Sequence, residues 1–492
     1  MSKFFRFLLT LAFAAAFMSC DSDTKYIYPP DGVVNRITDF YFFEDGKSFI
    51  YLSSNMNRKY DFGELVLMEI DDSGDLVYKN SLLVPSIAGK MTVSADEKDV
   101  FVTTRDKHGV VRAKIAGKSG SYRLQYEEGT KGDYPDILKT KKEPYALILS
   151  EDESKLMVTH ILNGELSVID VEEWKVIKTS KLKYGVTEIL YDKNSGYYLA
   201  SHRSSGNISL IEARETLEDF SVSVLELPID LPTKGFDVRS IKQSGDGEVF
   251  YAVFQNTYNE DTYEYAYDED TAPQIVTFKI EDKELKIVKT LTVSGNLGEM
   301  AILPYSSEQA EDNEENDDET ADDSDAAGES DEEETSDTDV SAKSLKDIED
   351  EDEMIDDDAA DDGDIAEETD DETADDEMID DEITDDETGD DEGGDTAETE
   401  ESKSSQRIGD MIFVSVPTEE KVLIIDSARN SIRDEISYKD DKKECHPYQL
   451  YAKSLSNTTG YLFVSCFQND RAYLYSIDLM SEEIIKKIGV LE

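Results

Sequence analysis

The sequence lacks several patterns that would indicate a particular chemistry. It contains no Gly-x-Ser-x-Gly nucleophile motif, no glycine-rich phosphate loop and no Cys-x-x-Cys pair. Long amphipathic helical patterns are missing, and beyond the N-terminal region no apolar run approaches the roughly 20 residues of a membrane-spanning helix. These absences disfavour the common hydrolase, nucleotide-binding and thiol-redox classes and favour an all-β chain.

Basic residues are few, with 49 Lys and Arg against 114 Asp and Glu and a formal net charge of −65. Residues 308–401 hold 51 of the acidic residues and only two basic ones, so this tract carries −49 and the rest of the chain −16. A field of this sign repels phosphate backbones and anionic lipid head groups. We therefore expect no nucleic-acid partner, whereas cations and basic proteins remain compatible.

The N-terminal residues have the pattern of a secretion signal. Lys3 and Arg6 precede an apolar run over residues 7–18, and Ser19 and Cys20 follow. The end of this segment resembles a bacterial lipobox, in which the cysteine becomes the lipidated first residue of the mature chain. We predict a signal peptide over residues 1–19 and a lipidated Cys20 with a polar tether through residue 32. An ordinary secretion signal with an incidental cysteine is the alternative.

Only two further cysteines occur, Cys445 and Cys466. Cys445 lies just before one strand pattern and Cys466 ends the next, so a hairpin of these strands would bring the thiols within a few residues of register. An exported protein meets an oxidising compartment, which favours a disulfide between them. Two separate buried thiols are the alternative.

Short apolar strands end in almost the same way seven times along the chain. The middle residue of the ending is Ser53, Thr103, Thr159, Ser201, Val253, Ser415 or Ser465. Successive endings lie 42 to 56 residues apart, except for one interval of 162. Recurrence at such a period indicates a repeat architecture, in which no single unit buries its own apolar face.

Each repeat contains four strand patterns, most clearly over residues 144–179. Apolar runs at 145–150, 155–160, 165–170 and 174–179 are separated by polar turns. Four antiparallel strands in about 40 residues form one propeller blade. We therefore predict an all-β, seven-bladed β-propeller of four-stranded antiparallel blades. A pair of β-sandwiches, or six or eight blades with strands shared between the first and last units, are the alternatives.

The same repeat resembles that of YVTN-type β-propellers. In that family Pro-Tyr or Pro-Gly opens a blade, Val-Thr-Asn ends its second strand and Ile-Asp closes its third. Here the matching residues are Pro144-Tyr145, Val158-Thr159 and Ile169-Asp170, and His446-Pro447-Tyr448 opens the last blade. The resemblance implies an exported or surface propeller, often without known enzymatic activity.

The one long interval places the acidic tract inside blade six. Residues 300–303 match a first strand and residues 411–415 a second, so residues 306–406 replace the turn between them. Dense like charge and few apolar residues predict a disordered insertion. The propeller is then formed by residues 33–305 and 407–492.

Two sets of residues are weak candidates for metal ligation. Asp323, Asp325 and Glu334 lie near EF-hand spacing, but no helical pattern flanks them and chance produces such matches in so acidic a tract. Diffuse calcium association by the tract is the broader expectation. His160 and His202 occupy equivalent places in neighbouring blades, yet two imidazoles alone do not complete a zinc site. We assign no catalytic residue, no cofactor and no specific metal site.

These features predict an exported, lipid-anchored propeller that serves as a binding or scaffold protein at the bacterial cell envelope, on the outer membrane, the cell surface or the periplasmic face. Its partners would be the membrane, through the anchor, and an envelope protein or component. A propeller hydrolase or lactonase with an axial metal site is one alternative. The other is a surface adhesion or cation-buffering protein that works through its acidic tract.

Overall fold

A computed structural model describes twelve stretches of the chain: residues 26–127, 136–203, 207–215, 220–228, 236–256, 258–259, 264–265, 273–304, 409–439, 445–456, 458–481 and 483–491. Seven antiparallel sheets follow one another along these residues, and each takes its four main strands in sequence order. The first strands of successive sheets contact one another around a common axis. The predicted seven-bladed propeller is confirmed, and the sandwich and the six- or eight-bladed alternatives are wrong.

The strands of the first four blades are β1 (Ile37–Phe42), β2 (Ser48–Ser53), β3 (Phe62–Ile70) and β4 (Leu76–Pro85); β5 (Ala88–Val93), β6 (Asp99–Thr104), β7 (Gly109–Ala116), β8 (Arg123–Gln125) and β9 (Ile137–Lys139); β10 (Pro144–Leu149), β11 (Lys155–His160), β12 (Glu165–Asp170) and β13 (Lys175–Lys181); and β14 (Val186–Asp192), β15 (Tyr197–His202), β16 (Asn207–Glu215) and β17 (Phe220–Pro228). The strands of the last three are β18 (Phe236–Gln243), β19 (Phe250–Asn256), β20 (Tyr258–Asn259), β21 (Glu264–Tyr265), β22 (Gln274–Glu281) and β23 (Glu284–Thr292); β24 (Met300–Leu303), β25 (Met411–Val416), β26 (Lys421–Asp426) and β27 (Ser431–Ser437); and β28 (Pro447–Ser454), β29 (Thr459–Cys466), β30 (Arg471–Asp478) and β31 (Glu483–Leu491).

Two blades depart from the four-strand pattern. In blade two the fourth position is divided, because β8 pairs with one end of β7 and β9 with the other. In blade five a small hairpin of β20 and β21 lies between the second and third main strands. Among the described residues the only helical turn is a 3-10 segment, Pro417–Glu419, between β25 and β26.

The apolar cores lie between blades, and strand β2 shows why its sequence is apolar throughout. Phe49 and Tyr51 face blade seven, where they pack with Phe463. Ile50 and Leu52 alternate with them and face blade two. Because successive side chains of a strand point to opposite faces, a strand covered on both faces needs apolar residues at every position. This is the physical origin of the continuous apolar runs in the second strands.

The ring closes without a shared strand, since blade one consists of the first four strands and blade seven of the last four. Closure relies on packing between these blades, including the stacked rings of Phe40 and Phe463. Ser465 Oγ also donates a hydrogen bond to the Ile37 carbonyl, at 3.4 Å. Arg36 adds a hydrogen bond to the Phe467 carbonyl and an ion pair with Asp470.

The connections between strands lie on two opposite faces of the propeller. We call the N-terminal face the one that carries the chain entering each first strand and the connections from second to third strands. The opposite face carries the connections from first to second and from third to fourth strands. Residues 26–36 belong to the N-terminal face, because Ile27 exchanges hydrogen bonds with Asp61 and Tyr28 stacks on Phe62 at the start of β3.

On the opposite face, three first-to-second turns repeat a Ser-x-Asp pattern. The serine hydroxyl donates to the aspartate two residues later in Ser94–Asp96, Ser150–Asp152 and Ser244–Asp246, at 2.8, 2.6 and 2.6 Å respectively. Such local bonds fix a tight turn. The acidic tract belongs by sequence to the equivalent turn of blade six, where Leu303 pairs with Met411.

The predicted signal peptide, Cys20 and the insertion over residues 306–406 lie outside the described residues. Within the described part of the chain, no helix has the length and apolar character needed to cross a membrane.

Candidate functional site

The first strands line the axis, and most of them are irregular at the same place. Pairing with the second strand shifts register near the start of β1, β5, β10, β14, β18 and β28. A bulge of this kind re-aims the side chains that follow it and leaves backbone N–H groups unpaired by the ladder. The residues at the shift therefore point into the axial space and need other partners.

The hydroxyl groups of the recurrent strand endings supply some of these partners. Thr103 Oγ1 accepts from Lys90 N at 3.0 Å and donates to the Tyr145 carbonyl of the next blade at 2.7 Å. Ser415 Oγ makes the same pair of bonds, with Glu299 N and the Tyr448 carbonyl, each at 2.9 Å. The hydroxyl of the ending thus joins the inner strands of neighbouring blades.

Glycine at the bulge permits this close approach in blade two. A Cβ atom on Gly89 would lie 2.6 Å from Thr103 Oγ1 and 2.7 Å from the Tyr145 carbonyl oxygen. Glycine is therefore needed at position 89 because any side chain would disrupt the inter-blade hydrogen bond, and not because of the backbone conformation.

An axial cavity of about 320 Å³ lies inside the ring of first strands. Every blade contributes to its lining, which includes, from blade one to blade seven, Asp39, Lys90, Ala146, Glu188, Lys242, Glu299 and Gln449. Blade six has no register shift, and Glu299 directly precedes β24. Five of the seven are ionisable, three acidic and two basic. Glu299 is buried and the other four are half-buried. Such a density of charge is unusual inside a protein, where charged groups occur chiefly with partners.

On one side of the cavity, Gln449 connects Lys90 and Glu299 by hydrogen bonds. Lys90 Nζ donates to Gln449 Oε1 at 2.7 Å, and Gln449 Nε2 donates to Glu299 Oε1 at 3.5 Å. Asp39 accepts a hydrogen bond at 2.8 Å from the bulge N–H of Met91, on the next blade.

The other half is organised around Glu188. Its carboxylate accepts from the Ile241 N–H at 2.7 Å and from Ser240 Oγ at 2.9 Å, and it pairs with the Lys242 ammonium. Glu188 thus accepts a backbone hydrogen bond from blade five, just as Asp39 accepts one from blade two. Each carboxylate satisfies a backbone donor freed by the bulge of the following blade.

Burial changes the protonation behaviour of this cluster. It raises the pKa of Glu299, an effect opposed by Lys90 and increased by the negative charge of Glu188. Burial also raises the pKa of Asp39, against Lys90 and two backbone N–H donors. For Lys90, burial disfavours the ammonium, but Glu299 and Asp39 outweigh it and the net change in the pKa of Lys90 is upward. The cavity therefore holds a firmly charged cation beside carboxyl groups that ionise reluctantly.

Arg203 follows β15 on the N-terminal face, close enough to Glu299 for the two charges to act on each other. Its guanidinium forms no hydrogen bond or ion pair with the described residues. Burial disfavours the cation, yet the surrounding Tyr448, Tyr145 and Glu299 outweigh burial and raise the pKa of Arg203. A second cavity of about 240 Å³ opens nearby and is lined by Arg239, Gln255, Asn296, His446, Tyr448 and Gln468, among others.

His160 and His202 are completely buried, and each bridges a loop and a strand within its own blade. His160 Nδ1 donates to the Lys142 carbonyl at 3.1 Å, and Nε2 accepts from Ser167 Oγ at 2.8 Å. His202 repeats this with the Tyr184 carbonyl at 3.1 Å and Ser209 Oγ at 2.7 Å. A carbonyl can only accept, so Nδ1 carries the proton in both rings. With both nitrogens engaged, neither ring is free to bind a metal ion.

A disulfide between Cys445 and Cys466 occupies the same place in blade seven. Its Sγ–Sγ distance is 2.03 Å, and it joins the strand ending to a residue two positions before the first strand. The carbonyls bonded by His160 and His202 also belong to residues two positions before their first strands. Blades three, four and seven thus fasten the incoming chain to the second strand by two different chemistries.

The described residues contain no group of three or more His, Cys, Asp or Glu side chains arranged to hold a metal ion. Asp323, Asp325 and Glu334 lie outside the described residues. The axial charges Asp39, Lys90, Glu188, Lys242 and Glu299 were not singled out from the sequence. For four of them the signal is a charged residue within two positions of the start of a first strand, whereas Lys242 lies near the end of β18.

These features define a seven-bladed β-propeller with a charged axial cavity. No protein-family model matches the chain, and no curated protein is similar to it in sequence.

Solved structures share its fold. Hydrazine synthase of Kuenenia stuttgartiensis matches with a TM-score of 0.50 at 9% identity, over 93% of this chain and 98% of that chain. The periplasmic gluconolactonase of Pseudomonas aeruginosa has a TM-score of 0.48 at 11% identity, over 90% and 96%. Virginiamycin B lyase of Staphylococcus aureus has 0.42 at 10%, over 90% and 94%. At 9% identity the likeness to hydrazine synthase shows the fold alone.

Proposed function

We propose that the chain is an exported, lipid-anchored binding protein of the cell envelope, and that its axial cavity holds the ligand. Glu299 is the observation that carries the proposal. Glu299 is only 8% exposed, and within the described part of the chain its carboxylate receives one long hydrogen bond, from Gln449 Nε2 at 3.5 Å. A buried carboxyl is costly unless several donors satisfy it. A donor group on a ligand would supply what the protein leaves missing.

The charges around Glu299 indicate the class of ligand. Glu299 offers an under-satisfied acceptor, and Arg203 offers a guanidinium that no described residue engages. A small zwitterion, with its ammonium group towards Glu299 and its carboxylate towards Arg203, fits both. A free amino acid or a short peptide has this chemistry, and charge-assisted hydrogen bonds of both signs would give it orientation as well as affinity.

Isothermal titration calorimetry of the full chain tests this proposal. We expect heat of binding with amino acids or short peptides, and none with neutral sugars of similar size. Glu299→Gln should weaken binding at least about tenfold, corresponding to about 1.4 kcal/mol, whereas the exposed Glu172→Gln should bind like the wild type. Absence of binding by any zwitterion, or equal binding by both variants, would contradict the proposal.

The scaffold part of the proposal concerns a macromolecular partner. A pull-down from envelope extracts, with the full chain and with a chain lacking residues 308–401, tests whether a partner is held and by which part. Capture that survives the deletion supports binding by the propeller. Capture that requires the tract supports the adhesion or cation-buffering alternative.

The hydrolase or lactonase alternative remains open to assay. Lactone hydrolysis that is abolished by a chelator and restored by a metal ion would support it against the binding protein.

A further inference from the structure

Charge is segregated between the two faces of blades one to four. Described connections on the N-terminal face carry nine cations against Asp31, Asp61, Asp106 and Glu143; the cations are Arg36, Arg58, Lys59, Arg105, Lys107, Lys141, Lys142, Lys183 and Arg203. Described connections of the same blades on the opposite face carry twelve acids, namely Glu44, Asp45, Asp71, Asp72, Asp75, Asp96, Glu97, Glu151, Asp152, Glu153, Glu172 and Glu173. Only Lys47, Lys98, Lys118 and Lys193 offset them. A strongly acidic chain therefore presents one basic surface.

Part of this basic charge is open to solvent. Lys59, Lys141 and Lys142 are exposed and form no ion pair with the residues that the structure describes. Elsewhere on the face, Arg105 is paired with Glu143 at 2.6 Å and Arg58 with Asp106 at 3.4 Å. Unpaired lysines on a common face are available to an external anionic surface.

The same face exposes large side chains that favour a membrane interface. These are Tyr26 (53% exposed), Ile27 (60%), Tyr28 (48%), Leu162 (65%) and Tyr184 (56%). Among the described connections of the opposite face, only Met480 is comparably exposed, at 50%. Tyrosine is enriched where lipid head groups meet water, because its ring is apolar and its hydroxyl polar.

The tether leads to this face. Residue 26 lies on it, only six positions after Cys20, and six extended residues span at most about 20 Å. A lipid on Cys20 would therefore hold the N-terminal face towards the membrane and the acidic face away from it.

We propose that the N-terminal face of blades one to four docks on anionic phospholipid head groups of the membrane that carries the anchor. This inference rests on the proposed lipid anchor. It replaces the expectation, drawn from net charge alone, that anionic lipids are repelled. Screening limits electrostatic forces to roughly 10 Å at ordinary ionic strength, so the nearby surface decides the interaction rather than the total charge.

Tryptophan quenching tests the docking with the full chain attached to vesicles. The Cys20 thiol is coupled to a maleimide lipid, which is selective because Cys445 and Cys466 form a disulfide. Tyr184→Trp places a probe on the N-terminal face, and Met480→Trp is the matched probe on the opposite face. The native Trp174, which also lies on the opposite face, is present in both variants and contributes the same background signal to each. The vesicles contain doxyl-labelled phosphatidylcholine, with or without phosphatidylglycerol.

We expect the Tyr184→Trp probe to be quenched several-fold more on phosphatidylglycerol vesicles than on phosphatidylcholine alone, and high salt to remove the difference. The Met480→Trp probe should show no such difference.

The triple substitution Lys59→Glu, Lys141→Glu and Lys142→Glu should abolish the additional quenching of the Tyr184→Trp probe on phosphatidylglycerol vesicles. The control Lys98→Glu, Lys118→Glu and Lys193→Glu makes the same change in net charge on the opposite face and should retain it. Circular dichroism confirms that both sets fold.

Equal quenching on the two vesicle types, or equal quenching of the two probes, would overturn the proposal. So would capture of an acidic envelope protein by this face in place of lipid. The anchor itself is tested separately by detergent phase partition of the cell-expressed wild type and Cys20→Ser. If both partition alike, the proposed anchor fails, while the chemically coupled protein still reports on the face.

Discussion

The rings of Phe40 and Phe463, on the first and last blades, stack with their centroids 3.8 Å apart. Both side chains are buried. Since these blades share no strand, no hydrogen-bonded ladder runs across the junction between the ends of the chain. Side-chain packing at this junction, together with a few side-chain hydrogen bonds and the Arg36–Asp470 ion pair, therefore has to hold the ring closed.

Phe463→Ala should lower the free energy of unfolding by about 3–5 kcal/mol, the usual cost of a cavity left by a buried phenylalanine. Urea denaturation followed by circular dichroism measures this. The partly exposed Ile287→Ala, on an outer strand, should change stability by only about 0.5 kcal/mol. Similar losses in the two variants would show that the junction has no special importance.

Thr103→Val should destabilise the protein by about 1–3 kcal/mol, because the substitution keeps the shape but leaves the buried Tyr145 carbonyl and Lys90 N–H without the hydroxyl. Thermal or urea unfolding gives the value. Thr103→Ser restores the hydroxyl and should recover most of the loss. If the serine variant is as unstable as the valine variant, methyl packing rather than the inter-blade hydrogen bond is responsible.

Glu64 should make the protein less stable as pH rises towards neutrality. Burial raises the pKa of Glu64 to about 7, although Ser81 Oγ donates to its carboxylate at 2.8 Å. The unfolded chain loses this proton near pH 4.5, whereas the folded chain keeps it until about 7, so the unfolded state is favoured progressively across that window. Near pH 8 the free energy of unfolding of Glu64→Gln should therefore exceed that of the wild type by up to about 3 kcal/mol, since each unit of pKa difference corresponds to 1.36 kcal/mol.

The Glu64→Gln gain should vanish near pH 4, where both states of the wild type hold the proton. Urea unfolding at the two pH values measures it, with the exposed Glu172→Gln as control. A gain that is independent of pH would mean that packing, and not ionisation, explains the difference.

Loss of the Cys445–Cys466 disulfide should lower stability by about 2–4 kcal/mol, since it releases a loop in the unfolded chain; the two residues are 21 apart in sequence. The double variant Cys445→Ser, Cys466→Ser is compared with the wild type in urea, with and without a reducing agent. The reducing agent should destabilise the wild type alone. If it has no effect on the wild type, the bond contributes nothing measurable.

The axial site was harder to foresee than the blades. Strand endings such as Val158-Thr159-His160 recur at a regular period and reveal the repeat. The role of His160, however, depends on the Lys142 carbonyl and Ser167 hydroxyl, which only folding brings to its two ring nitrogens. Equivalent positions suggested a histidine pair, and the structure shows two separate fastenings. Lys90 and Glu299 lie far apart in sequence and share a cavity only because every first strand meets at the axis.

The sequence alone determined the seven blades, the four-strand unit and the position of the acidic tract in blade six, because strand periodicity and turn chemistry are local properties of the chain. Only the tertiary structure decided which side chains reach the axis, which blade junction closes the ring and how charge divides between the two faces. Those features depend on bulges and on packing between blades. Both are imposed by closing seven twisted sheets into a ring, and no single segment encodes that closure.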